Sequence, residues 1–555
     1  MKRRYILVVP FMVFCGSIHA QSNGNHALVN IENEYTPEII KVNKKGNTPT
    51  VEEEIEVSPL ELRFTDKVQP FKGFTSERDT KEAFPKQDEQ YPGYVRLGYG
   101  FTNDIDAKAA YTLKTSKEGK MEILAGFDGF KTGVEGEEND WDQRMFRSML
   151  GASYTHRFNS LEMGVNADFS NSVFNYQSTD GYNPGLTDKQ NSRTYRFGTT
   201  GVSRLDGPFA YSYDAGITYN RRSYSSGSDE GTGELGFNID SRISYQVGES
   251  LKELGVDLGF NGFMYNSRLR DADNGFSNFA SFDVNPYLLF DFDIWRIKVG
   301  TKMNFVTANG PRFAIAPDIK VEGNISENAG LYGEITGGRS VNSLAEIDRI
   351  TPYWGFDYAT SRQLAPTYRV VDIKAGAHIT AEPFSCDIYA GYAYTKDDLL
   401  QSIGSSMNNA MYTFRLIYTD LEQQNTHNIF VGGRAGCDVG GWLNLSAEAR
   451  YDKWNGDNKG LLMMKPMITA DINAEFRIVE KFTFRAGYNF TRYTKGNDSR
   501  RFNNKNDLYA RANYEIFDWL GAYIQGSNLL NSDFYEYAGY RTRGIRGSLG
   551  VTVNF

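Results

Sequence analysis

The sequence predicts an all-β fold: a 22-stranded antiparallel transmembrane β-barrel with a short N-terminal periplasmic or lumenal segment. Three observations carry this. The chain opens on an export signal, it closes on a strand whose apolar face reaches the last residue, and short turns alternate with long loops in between.

At the start, Lys2, Arg3 and Arg4 form a basic region, Tyr5 to Cys15 an apolar core, and Ile18-His19-Ala20 a cleavage site before Gln21. Residues 1–20 are therefore expected to be a signal peptide. The apolar run is shorter than the roughly 20 residues a spanning helix needs. A lipid anchor at Cys15 is disfavoured, because bulky Phe14 stands where a small residue is expected. Residues 21–91 carry Pro37, Pro49, Pro59, Pro70 and Pro85, the run Glu52-Glu53-Glu54, and only short strand-like patches such as Val29 to Tyr35. Such a composition reads as an extended segment. The barrel is expected over 92–555.

Composition explains why the signal is easily missed. Charged residues are 23% of the chain and mean hydropathy is −0.50, which excludes a helical membrane protein. A barrel hides its apolar half in alternation, so each segment's signal is weak. The 55 Gly, 35 Tyr and 37 Phe suit tightly paired strands and interfacial aromatic girdles. Net charge is −9, and the loss of Lys2, Arg3 and Arg4 with the signal takes it to −12. An acidic exported chain is a poor binder of nucleic acid, whose affinity rests on neutralised phosphates.

The last strand places Ile545, Gly547, Leu549, Val551, Val553 and Phe555 on one face, and Arg546, Ser548, Gly550, Thr552 and Asn554 on the other. Val551, Val553 and Phe555 are thereby candidates for a terminal signal read by the barrel assembly machinery. Period two recurs elsewhere. Leu161, Met163, Val165, Ala167 and Phe169 share a face, as do Phe482, Phe484, Ala486, Tyr488 and Phe490, and Leu508, Ala510, Ala512, Tyr514 and Ile516. The opposing faces are too polar for lipid and are expected to line a wet interior.

Short connections such as Asp293-Ile294-Trp295, Glu382-Pro383-Phe384, Gly440-Gly441-Trp442 and Trp519-Leu520-Gly521 take turns with long ones at 133–142, 178–190, 270–278, 348–367, 395–424, 495–506 and 532–542. Short periplasmic turns and long external loops are the rule of outer-membrane barrels, and Trp in the short turns suits the periplasmic interface. Strands are predicted to begin near residues 93, 105, 120, 143, 161, 191, 209, 233, 253, 279, 296, 312, 330, 368, 385, 426, 443, 461, 482, 507, 522 and 543. Met411 to Tyr418 reads as an extra hairpin above the membrane; if it and its partner spanned, the count would be 24.

The stretch Asn528-Leu529-Leu530-Asn531, then Phe534-Tyr535 and the strand ending in Phe555, resembles the terminal hairpin of TonB-dependent outer-membrane receptors. The segment Tyr353 to Lys374, after Gly337-Gly338-Arg339, resembles that family's large mid-barrel loop, and the chain as a whole resembles plug-poor receptors of Bacteroidota. The resemblance implies a 22-stranded barrel in the outer membrane of a Gram-negative bacterium, acting as a ligand transporter or receptor. It covers 92–555. About 70 residues precede the barrel, fewer than the family's folded plug takes, so TonB coupling does not carry over directly. A barrel this wide is normally filled. Residues 21–91 are expected to thread into the lumen, helped by infolding of loops 348–367 and 395–424.

Two other functions stay open: a passive or partner-gated channel, and a barrel-anchored component of an envelope complex with a periplasmic or surface lipoprotein partner. No enzyme is expected. His26, His156, His378 and His427 fall in four separate places, with His156 toward lipid and His378 toward the lumen, so no catalytic constellation forms. No cofactor or metal site is expected; Asp271-Ala272-Asp273-Asn274-Gly275 reads as a solvated turn. Cys386 and Cys437 fall near periplasmic turns on neighbouring strands, on the apolar face, where a disulfide and two buried thiols are both open. Tyr353, Trp354, Tyr358 and Arg362 in a long loop are candidate ligand contacts, loop packing being the other reading.

Overall fold

In the computed structural model, described residues run from 91 to 555 except 102, 135–140, 179–188, 205–206, 224–230, 271–274, 327, 356–361, 408–414, 480 and 497–501. The expected signal peptide, the segment 21–90 and Tyr358 lie outside them, as does most of the turn at 271–275.

Twenty-two strands close into one antiparallel ring. They are β1 Gly93–Gly100, β2 Ile105–Lys114, β3 Gly119–Val134, β4 Trp141–Arg157, β5 Leu161–Phe174, β6 Gln190–Ser203, β7 Phe209–Ser223 and β8 Thr232–Gln246. Then come β9 Leu251–Tyr265, β10 Phe279–Asp291, β11 Trp295–Val306, β12 Phe313–Ser326, β13 Ala329–Ser340, β14 Thr367–Ala381 and β15 Phe384–Met407. The ring ends with β16 Arg415–Val439, β17 Leu443–Gly456, β18 Pro466–Val479, β19 Phe482–Tyr493, β20 Lys505–Phe517, β21 Leu520–Ser527 and β22 Arg546–Asn554. Each strand pairs with its sequence neighbours, and β22 pairs with β1 from Tyr94↔Asn554 to Gly100↔Ser548. The terminal residue belongs to this seam: Gly93 N donates to Phe555 O at 2.7 Å and Phe555 N to Gly93 O at 2.9 Å.

The alternation sorts residues as a membrane barrel requires. Leu549 and Val551 on β22 and Phe555 just past it, Leu150 on β4, Phe197 on β6 and Ile388 on β15 are exposed on the outer surface. Inward positions carry matched charges: Arg242 bonds Asp257 at 2.6 Å, Lys298 bonds Asp318 at 2.7 Å, and Arg485 bonds Glu475 at 2.6 Å. At the short-turn end Trp295, Trp442 and Trp519 are exposed, and His156 sits among Tyr154 and Phe158 on the outer face. No described helix is long and apolar enough to cross a membrane.

Three sequence expectations change. The segment 395–424 is not an infolded loop: apart from 408–414, which lie outside the described residues, β15 and β16 run through it, paired from Asp398↔Gln424 to Met407↔Arg415, so the count stays at 22 and not 24. His427, beside the strand start expected near 426, consequently lies inside β16. The position near 461 is a short 3-10 turn, Leu461–Met464, with β18 starting at Pro466.

Wall height is uneven. β21, β22, β1 and β2 have 8, 9, 8 and 10 residues, whereas β15 and β16 have 24 and 25. At about 3.3 Å per residue the tall hairpin is roughly 80 Å long, well beyond the bilayer, while the seam strands barely cross it.

Candidate functional site

The long-loop end is bridged by a packed cap. Beyond β5 the chain runs on to Gln177–Ser178, which pairs with the upper part of β16 through Leu416↔Ser178 and Ile417↔Gln177. In a ring of 22, β5 and β16 stand eleven places apart, so this pairing joins opposite walls across the mouth.

Three more segments complete the cap. The loop after β13 carries the helix Leu344–Ile350, capped by Ser343, whose Oγ accepts from Glu346 N at 3.2 Å. Its Leu344, Ile347 and Ile350 bury against Tyr265, Phe279, Val306, Leu399 and Leu421, binding β9, β10 and β11 to the tall hairpin. Inward Glu234 on β8 accepts from Leu344 N at 3.0 Å, putting a carboxylate at the helix start. Infolding expected for 348–367 is thus present in its first residues. Tyr353 continues across, with Thr419 N donating to its carbonyl at 2.9 Å. The last long loop, between β21 and β22, folds as a small hairpin, Tyr535–Tyr537 with Tyr540–Arg541.

These pieces meet in an aromatic cluster of Phe130, Met145, Phe174, Tyr176, Tyr353, Tyr537 and Tyr540. Tyr353 stacks on Tyr540 with centroids 3.6 Å apart, and its hydroxyl accepts from Gln143 Nε2 at 3.0 Å. Tyr540 donates to Ile417 O at 2.7 Å, and burial pushes its hydroxyl well above the usual tyrosine range, so it stays a neutral donor.

Beside the cluster lies a buried ionic centre. Arg222 Nη1 bonds Asp348 Oδ1 at 2.9 Å and Nη2 donates to Tyr176 Oη at 2.7 Å and to Pro352 O. The guanidinium lies 4.8 Å over Trp354 and 5.1 Å over Phe174. Asp348 also accepts from Trp354 Nε1 at 2.6 Å, Asn220 Nδ2 at 3.0 Å and Ser192 Oγ. Four donors from β6, β7 and the loop itself therefore converge on one carboxylate.

Tyr353 and Trp354, candidate ligand contacts from the sequence, are core residues of this cap. Arg362 is half exposed and ties the same loop to β16 by donating to Leu421 O at 2.9 Å and bonding Asp420 at 3.3 Å. Arg222, Asp348, Gln143, Tyr176 and Tyr540 gave no sequence signal, since they meet only through the ring closure. Cys386 and Cys437 are thiols; Cys437 faces Phe384 and Cys386 faces Ala435 across the ladder. Among the described residues no group of three His, Cys, Asp or Glu is placed to hold a metal ion.

A closed 22-stranded barrel with an apolar outside, a charged inside and a loop-built cap defines a large antiparallel membrane β-barrel. Solved structures share that fold: the ferric enterobactin receptor PfeA of Pseudomonas aeruginosa, 9% identical with TM-score 0.63 over 83% of this chain and 80% of that one; the siderophore receptor PirA of Acinetobacter baumannii, 10% identical with TM-score 0.63 over 85% and 81%; and the ferric-catecholate import receptor Fiu of E. coli, 8% identical with TM-score 0.61 over 85% and 83%. No family model and no curated protein matches the sequence.

Proposed function

We propose that the protein is an outer-membrane receptor and transporter of a Gram-negative bacterium, with ligand entering from the long-loop side past the cap. The observation that carries this is the cap itself, which joins opposite walls through Gln177–Ser178 and β16 and packs aromatic rings between them. A constitutive pore gains nothing from such a bridge. The shared fold with siderophore receptors supports the same reading and makes ferric chelates the first ligands to test. The segment 21–90 lies outside the described residues, and the lumenal place expected for it is what the deletion below tests. The apolar face of Val551, Val553 and Phe555 would present the closing strand to the assembly machinery, and a lipoprotein partner would meet the loops or the segment 21–91.

The test is flux of small sugars in reconstituted vesicles without an energy source. The intact chain is expected to pass none. Flux and single-channel conductance should rise sharply when residues 24–85 are deleted in a Tyr353→Ala/Tyr540→Ala background. Rapid flux through the intact chain would instead establish the passive-channel reading.

A further inference from the structure

Strands β6 and β7 carry an ordered series on their outer faces. Toward the long-loop end β6 reads Phe197, Tyr195, Arg193 and β7 reads Ile217, Tyr219, Arg221, and the register sets the two series directly opposite: Phe197↔Ile217, Tyr195↔Tyr219, Arg193↔Arg221. The apolar and aromatic members are exposed, as a lipid-facing band requires, and the two tyrosine rings stand 6.4 Å apart at its upper margin. The arginines follow two residues above, about 7 Å farther along the strands. They therefore stand among the head groups of the outer leaflet.

This pair opposes itself. Both arginines are exposed, and like charges directly opposite in a ladder destabilise it. The ladder around them offers no counter-charge: the outward residues across from them are Asn171 on β5 and Gly233 on β8, and those above are Asn191 and Ser223. Among the described residues Arg193 has no side-chain partner. A second cation pair shares the face. Lys131 on β3 lies opposite Arg144 on β4, in step with outward Phe127 and Leu150. Exposed Asp142, 3.8 Å from Lys131, offsets one of these two charges, and Arg144 Nε has no hydrogen-bond partner. The described outward residues here thus carry a positive excess, in a chain whose net charge is −9. A phosphate between two guanidinium groups turns their repulsion into a bridge, since each fork donates to its oxygens. A head group that also carries a cation brings that cation into the same field and gains less.

We propose that the upper outer face of β6 and β7 binds an anionic, phosphate-bearing lipid of the outer leaflet. Its phosphate bridges Arg193 and Arg221, its chains lie along Tyr195, Tyr219, Phe197 and Ile217, and Lys131 and Arg144 add to the attracting field. The inference rests on the membrane reading proposed above but not on transport. Its test is native mass spectrometry of the full chain with dioleoylphosphatidic acid and dioleoylphosphatidylcholine at equal concentration, lipids with the same chains that differ in the cation beside the phosphate. The phosphatidic acid should be retained about tenfold over the choline lipid, the factor a charge-assisted contact supplies. An excess of inorganic phosphate should not displace it, because the chains hold it as well. Arg193→Gln/Arg221→Gln should remove the preference, while Lys453→Gln, a single outward cation on β17 opposite exposed Ile429, should keep it; heat-modifiable migration verifies folding of each variant. Should the double variant not fold, the lipid series and the phosphate competition on the unaltered chain still decide. Equal retention of the two lipids, a preference that survives the double substitution, or displacement by inorganic phosphate would overturn the site and leave the flux test of the cap untouched. Retention of neither lipid would overturn the membrane reading with it.

Discussion

Arg222 and Asp348 are the residues on which the cap's polar contacts converge. The guanidinium is almost wholly enclosed and its partner nearly so. Removing one member of a buried pair leaves the other uncompensated, at a cost of about 3–5 kcal/mol. Arg222→Ala should accordingly loosen the cap without unfolding the barrel: protease cleavage within 341–366 should increase while heat-modifiable migration is retained. A second residue-level device recurs on the inner wall, where a tyrosine ring lies over a glycine of the neighbouring strand. A Cβ at Gly376 would meet the Tyr332 ring at 2.4 Å and Ile388 O at 2.7 Å, and one at Gly432 would meet the Tyr389 ring at 2.6 Å. Lys374 lies 5.2 Å from both rings. Gly376→Val should lower the midpoint of urea unfolding, since the backbone oxygen cannot move aside as a side chain could. None of these partnerships could be read from the sequence, because Arg222, Asp348 and Tyr540 lie far apart along it and meet only when the ring closes.

Strands were legible because an apolar outside and a wet inside impose period two, and most starts fall within a few residues of those expected, as at Gly93, Leu161, Phe209, Phe279 and Phe482. The signal failed where that asymmetry ends. Over Tyr418 to Gln424 both faces of β16 carry polar groups, Thr419 and Gln423 on one and Asp420, Glu422 and Gln424 on the other, so nothing marks a strand standing clear of the bilayer. The cap helix was hidden for a related reason: at seven residues it spans too few turns to establish a period. Above the bilayer the tall hairpin packs on the cap helix and the Leu461–Met464 turn, while the closing pairs of the ring lie elsewhere, at β22 and β1. Replacing 399–422 by a short turn should therefore leave a heat-modifiable barrel; an unfolded product would show that the hairpin is needed to build the wall.

For the whole molecule, closure and slant dominate. Phe555 supplies two backbone hydrogen bonds to Gly93, and its ring stacks on Tyr111 at 6.3 Å. Deleting it should lower the fraction of chain that reaches the heat-modifiable form in the membrane, with an equal yield counting against a role in closure. The central claim is that the mouth is bridged, and a distance across it tests this most directly. Spin labels on Ser178→Cys and Asp420→Cys, with Cys386 and Cys437 replaced by serine, report by pulsed electron resonance the separation of the segment beyond β5 from the upper part of β16. Bridging predicts a single short distance, below about 27 Å for neighbouring strands spaced ~4.8 Å apart, a four-residue offset of ~13 Å and two label arms. An unbridged ring of this strand number, tilted about 40°, would hold the labels roughly 40 Å apart, and that longer distance would contradict the account.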